Sequence, residues 1–299
     1  MAGESLRRAA ALAAACASLG AAAQQAHWYV QADNDVFYGT DRWYTSGVRI
    51  ARLQAGGGPA IEWGLLQEIY TPEAKRANPI DRPTAARLLA TFARHDRDAE
   101  SWRTLELDAG VTGPNALGRQ AQDLIHRIVP APHEEWSQQR SNRFDGQLVY
   151  AQSRTVPWLE RDVERINVHY GAVLGNQVAF VHATAEWRIG HGAAMTMSSP
   201  LLRFAATPPY PAEESRAPAW SAFVAAGVRG VMRNELLERR ADSPLPALDR
   251  RRYVGRFTTG AAWIHRFGTL TFTMAIDTRE FTGQRRNQGF GSLVLDLPF

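Results

Sequence analysis

The last ten residues, Phe290-Gly-Ser-Leu-Val-Leu-Asp-Leu-Pro-Phe299, decide how the rest of the chain is read. Phe290, Ser292, Val294 and Asp296 alternate with Gly291, Leu293, Leu295 and Leu297, the period of two that sends neighbouring side chains to opposite faces of a strand. One face is mostly leucine and the other is mixed. A soluble sandwich has no need of an aromatic at the very end of its last strand, whereas an outer-membrane barrel is expected to close on one. Pro298 costs little beside it, because an end position can leave a ladder bond unmade.

Working back from that strand, segments of similar texture recur at about the ten-residue length a membrane-crossing β-strand needs. The pattern predicts strands over residues 27–37, 42–54, 60–70, 85–95, 102–111, 147–154, 161–173, 176–189, 219–232, 251–266, 269–278 and 288–299. That makes twelve, an even number, as single-chain bacterial barrels have. In residues 161–175, Val163, Ile166, Val168 and Tyr170 are interleaved with charge rather than grouped in one apolar run. Trp28, Tyr38, Trp43, Tyr44, Trp63, Tyr70, Trp102, Trp187, Trp220 and Tyr253 fall near strand ends, as girdles at the membrane interfaces would. No apolar run after residue 24 approaches the roughly 20 residues of a transmembrane helix. The fold expected is all-β, a transmembrane antiparallel barrel of about twelve strands forming one domain over residues 24–299. The longer connections are residues 71–84, 112–146, 198–218 and 234–249, and barrels alternate short periplasmic turns with long extracellular loops.

Residues 1–23 read as a cleaved signal peptide, with Arg7 and Arg8 as the basic region, an apolar run from Ala9 to Ala17, and Ala21-Ala22-Ala23 before Gln24. The only cysteine, Cys16, goes with it, so the mature chain has neither disulfides nor cysteine metal ligands. Loss of Glu4, Arg7 and Arg8 leaves 32 basic against 29 acidic residues, a net +3. That excess is small and dispersed, with no basic tract interleaved with aromatics, and it gives no nucleic-acid partner. All basic residues except Lys75 are arginine, which suits two-pronged contact with phosphate and is compatible with an anionic glycolipid surface.

The longest connection holds the one segment of helical texture. Pro114 and Asn115 open it, a short helix is predicted from Leu117, and Gln122 and His126, four residues apart, share a face. Leu124, Ile125 and Ile128 give a partial apolar stripe able to pack on something.

Several motifs, in order along the chain, resemble the lipid A 3′-O-deacylase family, LpxR. They are Asn34-Asp35 followed by a turn and Tyr44-Thr45-Ser46-Gly47, then Gln67-Glu-Ile-Tyr-Thr-Pro72, Asp81-Arg-Pro83 and Gly113-Pro-Asn115 with Gln122 and His126-Arg-Ile128. Trp136, Asn142-Arg143, Arg233-Asn234 and Glu280-Phe-Thr-Gly-Gln284 complete the series. The resemblance implies a twelve-stranded outer-membrane barrel that is a calcium-dependent esterase. It implies removal of the 3′-linked acyloxyacyl group of lipid A, a component of lipopolysaccharide, at a site between the barrel wall and a loop helix. Carried over, His126 is the general base that activates a water and Gln122 its neighbour on the helix. Asn34 and Asp35 match the family's essential pair, with Asp35 near the metal, and Thr45 matches a hydroxyl on the second strand. Lys75 and Arg76 are the nearest to two cationic substrate-binding positions. A family glutamate six residues beyond the histidine falls on Pro132, so Glu134 stands in for it as a metal contact.

The residues themselves allow that chemistry. Ester hydrolysis needs a nucleophile, a base, and positive charge where the oxyanion develops. No Gly-x-Ser-x-Gly elbow occurs, so water with histidine as base is the simpler mechanism. Asp35 and the Asn34 amide oxygen are ligand types suited to a hard cation such as Ca²⁺. On their own, Asn34-Asp35 equally suit the cap of a turn. A narrow channel, plugged by inward bulky or arginine side chains, is the second reading, and an inactive lipopolysaccharide-binding barrel the third. A soluble periplasmic protein ranks last. The chain is expected to act as a monomer in the outer membrane.

Overall fold

The computed structural model describes residues 25–40, 42–56, 58–73, 82–98, 101–128, 136–137, 139–192, 218–237 and 248–298. Twelve strands run in order around one closed barrel: β1 (Gln25–Asn34), β2 (Trp43–Gly56), β3 (Gly58–Thr71), β4 (Ala85–Arg97), β5 (Ser101–Thr112), β6 (Arg143–Thr155), β7 (Glu164–Gly175), β8 (Val178–His191), β9 (Ala219–Asn234), β10 (Tyr253–His265), β11 (Gly268–Asp277) and β12 (Gln288–Pro298). Every neighbouring pair is antiparallel, and β12 pairs with β1 from His27 opposite Pro298 to Asn34 opposite Gly291. The ring therefore has no free edge. A single α-helix among the described residues, α1 (Gly118–Ile128), stands in the connection from β5 to β6. The signal segment, Lys75, Arg76, Asp81, His133, Glu134 and Phe299 lie outside the described residues.

All twelve predicted segments are strands, with one revision that matters for the site. β1 stops at Asn34, and Asp35–Tyr38 form a 3₁₀ turn where extension to Phe37 was expected. The cause is local: the Asn34 side chain accepts the Val36 N–H, and Gly39, in the left-handed region at φ 65°, closes the turn.

Alternation along the strands sorts side chains by face. In β12, Phe290, Ser292, Val294 and Asp296 are buried inside while Leu293, Leu295 and Leu297 are exposed outside. The outer wall carries large apolar residues, as a lipid-facing surface must. Outward Trp28, Trp63, Trp187, Trp220 and Trp263 all sit towards the barrel end away from α1. Trp43, Tyr44, Tyr70 and Trp102, expected in a girdle, are buried instead. Tyr44 and Tyr70 face each other inside the barrel with ring centroids 5.5 Å apart, and Trp102 joins Tyr29 and Leu53 in another internal cluster.

Ionic groups fill the lumen. Arg49 pairs with Glu62 and, at 3.3 Å, with Glu106, while His95 reaches Glu62 at 3.1 Å. Arg87 bridges Glu68 and Asp145 at 2.8 and 2.7 Å. Arg229 joins Asp277 and Glu280 at 3.0 and 3.1 Å, and Arg188 bonds Glu186 at 2.9 Å. These inward pairs occupy lumen space, as the channel reading itself had to allow, and they tie strands up to three apart in the ring.

Antiparallel order also assigns the connections to ends. Those after β1, β3, β5, β9 and β11 share the α1 end with the two-residue turn after β7. β8 ends and β9 begins at the opposite end, and the expected connection over residues 198–218 lies outside the described residues except Pro218.

Candidate active site

The connection from β5 begins by folding back on the outer wall. Gly113 has φ 87°, and a Cβ there would meet the backbone of Ser141 at 2.5 Å, so glycine is required on both counts. The Gly113 N–H donates to Ala86 O, and Asn115 N donates to Asn142 Oδ1 at 2.7 Å, tying the start of the loop to its end. Gln67, on the outward face of β3, donates its amide to Ala116 O at 2.7 Å. Helix α1 then lies on the wall where Ile69 and Ala86 face out, packed with Ala116 and Trp136. Gly118 permits this approach: a Cβ there would meet the Ala86 Cβ at 2.4 Å and the Trp136 ring at 2.6 Å.

Gln122 is buried on the inner side of α1, its Oε1 accepting the Trp136 indole N–H at 3.0 Å. His126, half-buried, stands about 6 Å further along the axis on the same face. Of the expected apolar stripe, Leu124 and Ile125 point elsewhere, and the Ile128 side chain lies outside what is described. Leu124 is 59% and Ile125 38% exposed, on the side of the helix turned from the barrel.

The strand register links this helix to the Asn34-Asp35 pair. Asn34 lies opposite Ser46, Ser46 opposite Ile69, and Ile69 opposite Ala86, so one row of outward positions crosses four adjacent strands. Three strand spacings put Asn34 about 14 Å from Ala86, where α1 rests. Ser46 lies on the floor between. Beside it a bulge separates the Tyr44–Tyr70 and Ser46–Ile69 pairs; Thr45 is the extra residue, and its hydroxyl bonds Thr71 Oγ1 at 2.5 Å.

On the bank facing the helix, Asp35 is buried and its Oδ2 accepts the Arg42 N–H at 2.6 Å and the Thr40 hydroxyl at 3.1 Å. Phe37 continues this bank, lying over Gly291 and meeting Phe272 edge-on at 5.5 Å. The row is polar at its β1–β2 end, through Asn34 and Ser46, and apolar at Ile69 and Ala86 and at Phe37 over β12. It suits an ester whose acyl chain stays in the lipid layer.

The fold thus brings Asn34, Asp35, Thr45, Gln122 and His126 to one end of β1–β4 and the helix leaning on them. The sequence motifs contain Trp136, Thr71, Ser46 and Phe37 without giving any of them a role. Each acts through a contact with a segment distant in the chain, which no local spacing announces. Among the described residues, no three His, Cys, Asp or Glu side chains gather as they would around a metal ion. Calcium takes 6–8 oxygen ligands, and of the two expected acidic ligands the described residues include only Asp35. They do not complete a calcium site by themselves.

The family described as outer membrane protein LpxR matches residues 7–299. The chain belongs to the LpxR family. LpxR from Salmonella typhimurium superposes with a TM-score of 0.78 at 20% sequence identity, covering 91% of this chain and 100% of that one. At that identity the likeness establishes the shared LpxR barrel fold. The Pseudomonas putida toluene transporter TodX aligns with a TM-score of 0.37 at 9% identity, over 92% of this chain and 89% of its own, and that alignment carries no weight. No curated protein matches the sequence. Membership in LpxR, an outer-membrane family, and the apolar outer wall agree on location in the bacterial outer membrane.

Proposed function

We propose that this barrel is a lipid A 3′-O-deacylase, hydrolysing the 3′-linked acyloxyacyl ester of lipid A in the outer leaflet. The observation that carries the reading is the outward strand row that runs from Asn34 through Ser46 and Ile69 to Ala86, where the helix bearing His126 rests on the lipid-facing wall. A water-activating base belongs there if the substrate's esters lie in the membrane and its sugar at the surface. In this reading His126 takes a proton from water as the water oxygen attacks the ester carbonyl. The tetrahedral intermediate then expels the 3′ oxygen, which recovers the proton from His126. The products are an acyloxyacyl carboxylic acid and lipid A with a free 3′ hydroxyl. Asp35 and Glu134 would hold a divalent cation, calcium, which when bound would polarise the carbonyl. Lys75 and Arg76 would meet the phosphorylated sugar.

The test is a mass spectrum of lipid A from cells expressing the protein, with calcium and with chelator. Loss of the acyloxyacyl mass in calcium is expected, with none in the His126→Ala variant although it still assembles as a barrel. Unchanged lipid A with the wild-type protein in calcium would overturn the reading.

A further inference from the structure

The Asn34 side chain has two polar ends, and the fold uses one of them. Oδ1 accepts the Val36 N–H at 2.7 Å, and the extended cap conformation, φ −156° and ψ 144°, sets that geometry. An amide held by its oxygen presents its NH₂ group on the other side. Among the described residues, nothing accepts from Nδ2. The side chain is half-exposed and faces outward, its inward neighbour Asp33 being held by Tyr44 and Gln31. Its row neighbour on the β12 side, Gly291, is covered by the Phe37 ring, and on the β2 side the small Ser46 leaves room beside the amide. The turn that carries it is clamped by the two bonds to Asp35 Oδ2. An amide fixed on a clamped turn, with its NH₂ group unengaged, is the kind of oriented donor that oxyanion stabilisation uses.

We infer that Asn34 Nδ2 donates a hydrogen bond to the ester oxygen as it becomes an oxyanion, so that Asn34 serves as a donor and not as a metal ligand. The inference rests on the deacylase reading. When water attacks and His126 takes its proton, the carbonyl electron pair moves onto oxygen, where the amide meets it. As the bond to the 3′ oxygen breaks, the pair returns to re-form the carbonyl, and Asn34 neither gains nor loses a proton. The Asn34 oxygen, which suits a cation as well, is engaged here as the cap of the turn.

Two substitutions separate these roles, because aspartate and serine cap turns about as well as asparagine. Asn34→Asp keeps both the cap and an oxygen ligand but removes the donor, and Asn34→Ser keeps a neutral cap too short to reach. The expected result for both is a fall in kcat of roughly 100- to 1,000-fold on lipid A in calcium, with KM within about threefold. Thermal unfolding midpoint and calcium affinity by titration calorimetry should match the wild type. If either variant keeps more than about a third of the wild-type kcat, or if the loss follows a fall in calcium affinity or unfolding midpoint, the inference is overturned alone. If the wild type leaves lipid A unchanged, the deacylase reading and this inference fall together.

Discussion

At the scale of single residues, the Trp136–Gln122 bond shows how the site is kept in order. The indole N–H satisfies a buried amide oxygen, so the Gln122 side chain is fixed with its NH₂ group directed away from Trp136. Trp136→Phe removes the donor and little volume. It should cost about 1–3 kcal/mol locally, the usual penalty for stranding a buried acceptor. Because the damage is confined to the loop, hydrogen exchange across residues 118–128 should speed up while the barrel's unfolding midpoint stays put. A drop in kcat should accompany it, and unchanged exchange in the helix would show that the bond does not hold α1. The ordered motifs singled out Asn34, Asp35, Thr45, Gln122 and His126 as candidates, and the fold sets them at one end of β1–β4 and on α1. Trp136 lies 14 residues beyond Gln122 in an irregular loop, where periodicity gives no bearing on what a side chain touches.

At the scale of elements, the helix was legible and its orientation was not. Leu124 and Ile125 were expected to pack, as apolar stripes do on soluble proteins. Here the preference is inverted, because the surroundings of an outer-membrane barrel are themselves apolar at this level, and the inner face of α1 is the one with Gly118 and Gln122. Closeness to the wall, set by Gly118, therefore governs the site. Gly118→Leu should push α1 off Ala86 and abolish deacylation, with the variant still running as a heat-modifiable folded barrel on gels. Retained activity would mean that His126 works without the contact. The 3₁₀ turn after β1 makes the complementary point: Asn34 and Gly39 are its local causes and were visible as turn formers, yet the alternating pattern through Phe37 reads equally as a continuing strand.

At the scale of the whole molecule, strand number, closure and the inside–outside alternation could be read from the sequence, because a period of two with lipid on one side is a strong signal. The partners of the buried charges could not, since Arg49 meets residues 13 and 57 positions away across the lumen. That layer makes the last prediction. Arg49 is fully buried between Glu62 and Glu106, and His95 and Thr104 complete its surroundings. Arg49→Met keeps the bulk but removes the guanidinium from two buried carboxylates, leaving His95 as the cationic partner in reach of Glu62. Breaking a buried pair from one side costs about 3–5 kcal/mol, more than the pair itself is worth. Urea unfolding in phospholipid vesicles should register that loss, and the double change Glu62→Gln with Glu106→Gln should restore much of it in the Arg49→Met background. Since the site is on the outer face of the barrel, kcat at 25 °C should stay within about threefold while the variant remains folded. A loss under about 1 kcal/mol would mean that water reaches this layer and screens it, and the lumen would then be a wet conduit instead of the ion-paired support for the wall on which α1 rests.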